Sequence, residues 1–242
     1  MATLLQIATA VADETKGPRF ANVAQNVDPD AQNILRLVNK VGTRLMRIYD
    51  WNILRAEETV SATGDEILIP SASMPVDFDR FVPETFWDRS TNNLLSGPVS
   101  PVEWNGLKVQ TFSSQNKKFI FRGGSVLTQP IFDSGTDLAF EYISNFWCEN
   151  SLGAGLVSMT SDTDVSRLDS ELMISIVKYE WLASEGQPTP AAVAEAKEMI
   201  ARLINNDASS ENIAVTADIF AQNTRHFEGA PKASRASYGG DF

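Results

Sequence analysis

Residues 77–108 read "DFDRFVPETFWDRSTNNLLSGPVSPVEWNGLK" and hold three Phe, two Trp, three Asp, two Arg and three Pro. Such a mixture is typical either of a ligand-binding surface or of a compact β-domain that packs against a neighbour. Polar and apolar residues alternate over 78–82, which predicts a strand, and residues 86–89 predict a further strand. We therefore expect most of the aromatic rings in this run to pack a small β-domain.

The end of the run contains a helix signal. Residues 100–103, Ser-Pro-Val-Glu, match a capping box, with Ser at the N-cap position, Pro at the first helical position and Glu at the third. This pattern predicts a one-turn helix that includes Trp104 and ends at Gly106. A strand is predicted to resume at Leu107.

Helical periodicity marks the N-terminal part of the chain. Residues 3–13 place apolar side chains on one face, and Gly17-Pro18 ends that helix. Asp28 is a predicted N-cap, followed by Pro29 at the first helical position, and the apolar face of this second helix continues to Tyr49.

Two more helices are predicted after residue 150. Asp164 or Ser166 is the expected cap of the first, which ends at Gly186. The second opens at Thr189-Pro190, and the link over residues 184–189 is short enough to make the pair antiparallel. The residues predicted to point inward from the second helix are Val193, Ala196, Ile200 and Leu203.

Between these helical parts the pattern is that of strands. Residues 59–62 and 66–69 flank Thr63-Gly64-Asp65 and predict a hairpin, and residues 117–129 predict another around Gly123-Gly124. Period-two alternation over 137–147 predicts a half-buried strand.

The predicted fold class is α+β: a helical bundle built from the N- and C-terminal helices, with an inserted antiparallel β-domain and an extended C-terminal tail. The corresponding domains are residues 1–50 with 150–205 for the bundle, 51–149 for the β-domain, and 206–242 for a C-terminal arm.

Composition excludes several classes of function. The 242 residues carry a formal net charge of -11, which argues against a protein that grips nucleic acid, since phosphate binding needs clustered Lys and Arg. No apolar run is long enough to cross a bilayer. The single Cys148 fits a reducing compartment, and the single His226 argues against histidine-dependent catalysis and zinc binding.

No cofactor or metal motif is recognisable. Residues 162–166 resemble the start of a calcium-binding loop, but Arg167 stands where glycine is needed and Met173 where a bidentate glutamate is needed. These acids are expected to be N-terminal charges of a helix. The glycine pairs match neither a dinucleotide-binding fingerprint nor a phosphate-binding loop. We therefore predict no catalytic residue, no metal and no cofactor.

Several short motifs occur in a characteristic order: Trp51 directly after a long helix, then DFDRFV, FWDR, GPVSPVEWNGLK, a FIFRGG hairpin and a late FEYISNFW strand. Over roughly residues 30–205 this series resembles the head-to-tail adaptor proteins of short-tailed bacteriophages, the tail tubular or connector gatekeeper-like proteins.

The resemblance implies a non-enzymatic virion protein of the neck, made in the host cytoplasm. Such proteins typically form a dodecameric ring below the portal protein. The ring holds the tail nozzle protein, sometimes also tail fibres, and extends the DNA channel. An acidic chain suits a channel through which DNA passes without specific binding.

The residues after 206 form the predicted arm that binds the portal or a neighbouring subunit. The expected apolar anchors are Phe227, Tyr238 and Phe242, and the residues expected to pair with acidic partners are Arg225, Lys232 and Arg235. The alternative is a disordered tail with no partner.

Two other functions stay open at the level of sequence. A carbohydrate- or receptor-binding module of a phage tail would expose Phe86, Trp87 and Trp104 as a stacking platform. A hydrolase would need two carboxylates of the β-domain to face one cleft.

Overall fold

The computed structural model describes residues 1–109, 117–187 and 190–207, and over these it has a mixed α+β fold. The helices of this part are α1 (Leu4–Thr15), α2 (Pro29–Ile48), α3 (Pro101–Val109), α4 (Ser170–Ser184) and α5 (Pro190–Asp207). The strands are β1 (Arg55–Ser61), β2 (Ile67–Ile69), β3 (Phe78–Phe81), β4 (Trp87–Asp88), β5 (Asn93–Leu94), β6 (Lys118–Arg122), β7 (Ser125–Gln129), β8 (Asp137–Ser144), β9 (Cys148–Glu149), β10 (Gly155–Leu156) and β11 (Val165–Ser166).

The two N-terminal helices both begin at a capping side chain, and the cap of α2 is the predicted Asp28. In α1 the backbone N–H of Gln6 donates to the Thr3 hydroxyl at 3.2 Å, and the Gln6 side chain accepts from the Thr3 backbone N–H at 2.9 Å. In α2 the Asp28 carboxylate accepts from the Asp30 N–H at 2.9 Å, with Pro29 in the first turn. Both predicted helices are therefore confirmed.

The predicted cap of α4 is wrong. Asp169 caps this helix by accepting from the Leu172 N–H at 2.9 Å. Neither Asp164 nor Ser166 does so, because their segment pairs with β9 and with the start of the chain, where the Leu4 N–H donates to the Asp164 carbonyl at 3.0 Å. Because of this long-range pairing, α4 begins only at Ser170.

Helix α5 begins at Pro190, as predicted, and α4 packs against α1, α2 and α5. Of the residues predicted to point inward, Ala196 and Ile200 are buried, whereas Val193 and Leu203 are only partly buried at the edge of the core. Ala192 and Ile204 complete the buried face, which is therefore rotated slightly from the predicted one.

Strand β8 organises the largest sheet, in which the strand order is β1-β8-β4-β5 and β3 also pairs with β8. The strand itself is confirmed, but it is not half-buried. Both of its faces are covered apart from Asp137 and Glu141. A second sheet of three strands, in the order β2-β7-β6, contains the predicted Gly123-Gly124 hairpin, and a third joins β10, β9 and β11.

The hairpin predicted around Thr63-Gly64-Asp65 is wrong. Strand β1 pairs with β8 and strand β2 pairs with β7, so this turn leads from one sheet to another. Over its full length β1 finds a seven-residue partner in β8, whereas β2 is only three residues long. The long ladder between β1 and the distant β8 therefore forms instead of a short local ladder between β1 and β2.

The helix predicted after Ser100 forms but does not end at Gly106. The Glu103 N–H donates to the Ser100 hydroxyl at 3.2 Å, and α3 continues through Gly106 to Val109. The completely buried Trp104 and the ion pair of Lys108 with Glu66, at 2.5 Å, hold the second turn. One helical glycine costs only about 1 kcal/mol relative to alanine, so these contacts outweigh it.

Two apolar clusters fill the interior. One lies among α1, α2, α4 and α5, and the other among the two larger sheets. The helical cluster also takes in Trp51, Val82, Ile143 and Trp147, which belong to the sequence range assigned to the β-domain. The exact limits of the two domains therefore stay a prediction.

Trp147 packs closely against helix α2. It is 1% exposed, its Nε1 donates to the Val157 carbonyl at 2.7 Å, and its ring lies directly on Gly42 of α2. A Cβ atom added at Gly42 would come within 2.5 Å of that ring. Only glycine therefore lets helix and indole approach this closely.

We expect Gly42→Ala to destabilise the protein by about 1–3 kcal/mol, because a methyl group there overpacks the core against Trp147. The matched control is Gly106→Ala in α3, where an added Cβ meets nothing within 4 Å. That change should stabilise by up to about 1 kcal/mol through helix propensity. Urea unfolding of both variants measures the two shifts. Stabilisation by both would contradict the tight Gly42–Trp147 packing.

Candidate functional site

The predicted partner-binding residues lie outside the described residues. They are Arg225, Phe227, Lys232, Arg235, Tyr238 and Phe242. The described part of the chain ends at Asp207, which accepts hydrogen bonds from Asn52 through its carboxylate at 3.0 Å and its carbonyl at 2.8 Å. The chain therefore leaves the described region beside the junction of the helical and β parts.

Arg80, in β3, is the polar centre of that junction. Its guanidinium donates to the Asp50 carboxylate at 2.9 Å and to the Asp79 carboxylate at 2.7 Å. It also donates to the carbonyls of Met46 and Tyr49, at 3.2 and 3.0 Å, where α2 ends. A planar cation suits this place because the last carbonyls of a helix lack partners within the helix and carry partial negative charge.

Most rings of residues 77–108 are core, as predicted. Trp104 is 0% and Phe86 3% exposed, whereas Trp87 is 42% exposed. The stacking platform of these three rings does not form, because two of them are buried. Trp87 alone reaches solvent, on the outer face of the β1-β8-β4-β5 sheet.

A cleft of about 320 Å³ lies beside Trp87. Its walls include Glu57 of β1, Glu141 of β8 and Arg89, which directly follows β4, and Ala139 lies at its floor. Glu57 and Arg89 form an ion pair across it. Sequence reasoning missed this cleft, although the alternation of Arg55, Glu57, Thr59 and Ser61 is the signal of an exposed strand face.

Asp88, next to Trp87, stabilises the turn that follows β4. It is 4% exposed and accepts from the N–H groups of Ser90 and Thr91, at 2.9 and 3.1 Å, and from the Thr91 hydroxyl at 2.7 Å. This is a side-chain turn of the kind that Asp commonly forms. Its carboxylate is therefore fully engaged in holding the turn between β4 and β5.

A second hollow, of about 380 Å³, is lined by β3 and neighbouring segments and is mostly apolar. Phe78, Phe81 and Phe121 are among its walls, and their rings pack against one another with centroid separations of 4.7 to 5.7 Å. Phe121 is 40% exposed. This hollow is an extension of the aromatic core that opens to the surface.

The carboxylates of residues 162–166 accept hydrogen bonds from backbone N–H groups of loops and do not lie at a helix N-terminus. The expectation that they are helix N-terminal charges is therefore wrong. Asp162 accepts from the N–H groups of Val23 and Ala24 at 2.8 and 2.9 Å. The buried Asp164 accepts from those of Thr160 and Ser161 at 2.6 and 2.8 Å. Over residues 1–109, 117–187 and 190–207, no group of three or more His, Cys, Asp and Glu side chains could hold a metal ion.

Two titratable groups of the interior are held neutral. Burial, with the nearby Asp164, raises the pKa of the Cys148 thiol to about 12, and its Sγ donates to the Leu156 carbonyl at 3.3 Å. Burial and a hydrogen bond to Asp77 raise the pKa of Tyr142. Cys148 is therefore an unreactive core residue at neutral pH, since only the thiolate is nucleophilic.

No protein-family model matches this chain, and no curated protein matches it. Among the helices that the structure describes, none is long and apolar enough to cross a membrane.

We expect Arg80→Ala to destabilise the protein by about 1.5–3 kcal/mol, because the loss leaves partly buried carboxylate and carbonyl groups without their charged donor. Arg89→Ala is the matched control. Its ion pair with Glu57 is more than half exposed and should be worth at most about 1 kcal/mol. Denaturant unfolding of both variants tests this. Equal effects would show that Arg80 contributes no more than a surface charge.

Proposed function

We propose that the protein is a non-enzymatic structural component of a bacteriophage virion, a head-to-tail adaptor. In this proposal it forms a dodecameric ring in the neck, between the portal protein and the tail nozzle protein. The ring extends the channel through which DNA passes, and tail fibres are a further proposed partner. The chains are made in the host cytoplasm and assemble without a cofactor.

The observation that supports this proposal most is the ordered series of motifs described above. Several of them meet at the junction of the helical and β parts: DFDRFV contains Arg80, and FEYISNFW contains most of β8 and ends at Trp147. Trp51 lies there too, and its Nε1 donates to the Leu45 carbonyl at 2.8 Å. Three of the motifs thus lie among the contacts between the two parts, while FWDR, GPVSPVEWNGLK and FIFRGG lie within the β part.

Charge also favours the proposal. At -11 the chain repels phosphate, so a ring of such chains would let DNA slide through without holding it. A strongly basic chain would instead bind the DNA that it must release.

The C-terminal residues are the proposed attachment arm. The apolar anchors Phe227, Tyr238 and Phe242 would bury against the portal or a neighbouring subunit. Arg225, Lys232 and Arg235 would pair with acidic groups there. The position of Asp207 at the junction means that the arm would start between the two parts of each subunit.

The first test mixes the full chain with the portal protein of the phage that encodes it. Light scattering measures the mass, and negative-stain electron microscopy records the shape. We expect a complex in which the portal gains twelve copies and an additional ring, with the portal alone as control. A persistent monomer that ignores the portal would overturn the adaptor assignment.

The second test removes the arm by ending the chain after Asp207, which keeps the bonds to Asn52. We expect the shortened chain to keep a cooperative unfolding transition and to lose portal binding, because the bundle contacts precede that point. In the full chain, replacing Phe227, Tyr238 and Phe242 by Ala should weaken binding at all salt concentrations. Replacing Arg225, Lys232 and Arg235 should weaken it mainly at low salt. Unchanged assembly of the shortened chain would refute the arm.

A further inference from the structure

The register of the largest sheet places Trp87 on its outer face. Trp87 is paired with Ala139 of β8, and Ala139 is paired with Thr59 of β1. Residues directly opposite in antiparallel strands lie on the same face, so these three form a row across the sheet. The alanine side chain is small, which leaves a hollow between the indole and the neighbouring strand. Its volume of about 320 Å³ is within the range of small-molecule sites.

A large bulge shapes one side of this hollow. Phe81 is paired with Tyr142 and Trp87 with Ala139, so the five residues Val82–Phe86 lie opposite only two of β8. The Glu141 backbone N–H donates to the Thr85 hydroxyl, at 3.2 Å, instead of to a strand carbonyl. Bulges of this kind often redirect a side chain beside a functional site.

The bulge also holds Glu84 in a left-handed backbone conformation, with φ of 60°. Residues other than glycine rarely adopt this conformation, and Asn and Asp do so more readily than Glu. Glu84 lines the cleft. Asn92, with φ of 56°, lines it as well. Two side chains on irregular backbone therefore border the exposed indole.

The polar groups of the cleft include both donors and acceptors. Glu57, Glu84 and Glu141 supply carboxylate oxygens, and Arg89 and Asn92 supply N–H groups. The lining carries four carboxylates, those of Glu57, Glu84, Asp88 and Glu141, against the single cation Arg89, so its net charge is negative. Glu57 pairs with Arg89, and Oε2 of Glu141 lies 3.5 Å from Nη1 of Arg55, just outside the cleft. An anionic ligand would be repelled here, whereas the hydroxyl groups of a neutral ligand can donate to the carboxylates and accept from the N–H groups.

From this geometry we propose that the cleft binds a neutral pyranose sugar. One C–H face of the ring packs on the Trp87 indole, whose apolar face and N–H edge suit such a contact. The ring hydroxyls donate to Glu57 and Glu141 and accept from Arg89 and Asn92. The site uses residues of one subunit only, so the proposal does not depend on assembly into a ring.

The five tryptophans make the site easy to observe. Trp51, Trp104, Trp147 and Trp181 are between 0 and 6% exposed, so Trp87 is the one that acrylamide quenches readily. The probes are the methyl glycosides of glucose, galactose, mannose, rhamnose and N-acetylglucosamine, each offered to the full-length protein. Saturation-transfer NMR detects which protons of a bound probe touch the protein, and protection from acrylamide reports contact at Trp87.

We expect at least one glycoside to bind with a millimolar Kd, with the strongest saturation on the C–H protons of one ring face. Trp87→Ala should weaken this binding at least tenfold. Trp87→Phe should retain part of it because a flat ring remains. Glu141→Gln should weaken it while leaving the Trp87 surface in place. Val76→Ala, an exposed residue outside the cleft, is the matched control and should change nothing.

Absence of saturation transfer with all five glycosides would overturn the proposal, and so would transfer that persists in Trp87→Ala. N-acetylarginine amide is included as a cationic probe. If it protects Trp87 better than every glycoside, the cleft recognises a cation and not a sugar. Circular dichroism of each variant confirms folding, which these surface changes should leave intact.

Discussion

The central position of β8, which supplies residues to both apolar clusters, is the constraint on which the rest of the structure depends. One face supplies Leu138, Phe140 and Tyr142 to the β core, and Ile143 on the other face belongs to the helical core. A strand in which six of eight residues are buried must have its backbone groups paired on both edges, since unpaired buried groups are costly. Strands β1, β3 and β4 meet this demand. One eight-residue strand thereby fixes the sheet and attaches it to the bundle.

The same strand positions two contacts that fix α2 on the sheet. Trp147 follows β8 by three residues and packs on Gly42, while Arg80, in a strand paired with β8, reaches the end of α2. The indole contact is steric and tolerates no added atom. The hydrogen bonds of the Arg80 guanidinium are directional, and they orient the C-terminal end of α2 relative to β3. Together they define one arrangement of α2 on the sheet, which packing by apolar area alone would leave less specific.

Local signals in the sequence predict local structure well in this chain. Asp28, Ser100 and the Gly123-Gly124 turn all act where expected, because each effect is complete within a few residues. The errors arise where a distant partner competes. β1 leaves its neighbour β2 for β8, and Asp164 serves the start of the chain rather than α4. A local sequence pattern does not indicate whether a strand will pair with its short neighbour or with a longer strand about eighty residues away.

The cleft beside Trp87 could not be predicted for the same reason, since its walls come from β1, from the bulge and from β8. An exposed tryptophan alone needs no explanation, because folded proteins expose much apolar surface. Here the indole is accompanied by a bulge that holds Glu84 in an unfavourable backbone conformation. The Phe rings of β3 show that this segment can bury aromatic side chains where packing demands it. Val82 and Phe86, at the two ends of the bulge, belong to the apolar clusters, whereas the exposed Glu84 in its middle belongs to neither. Backbone strain at such an exposed position is typical of functional sites, which favours a ligand at the outer face.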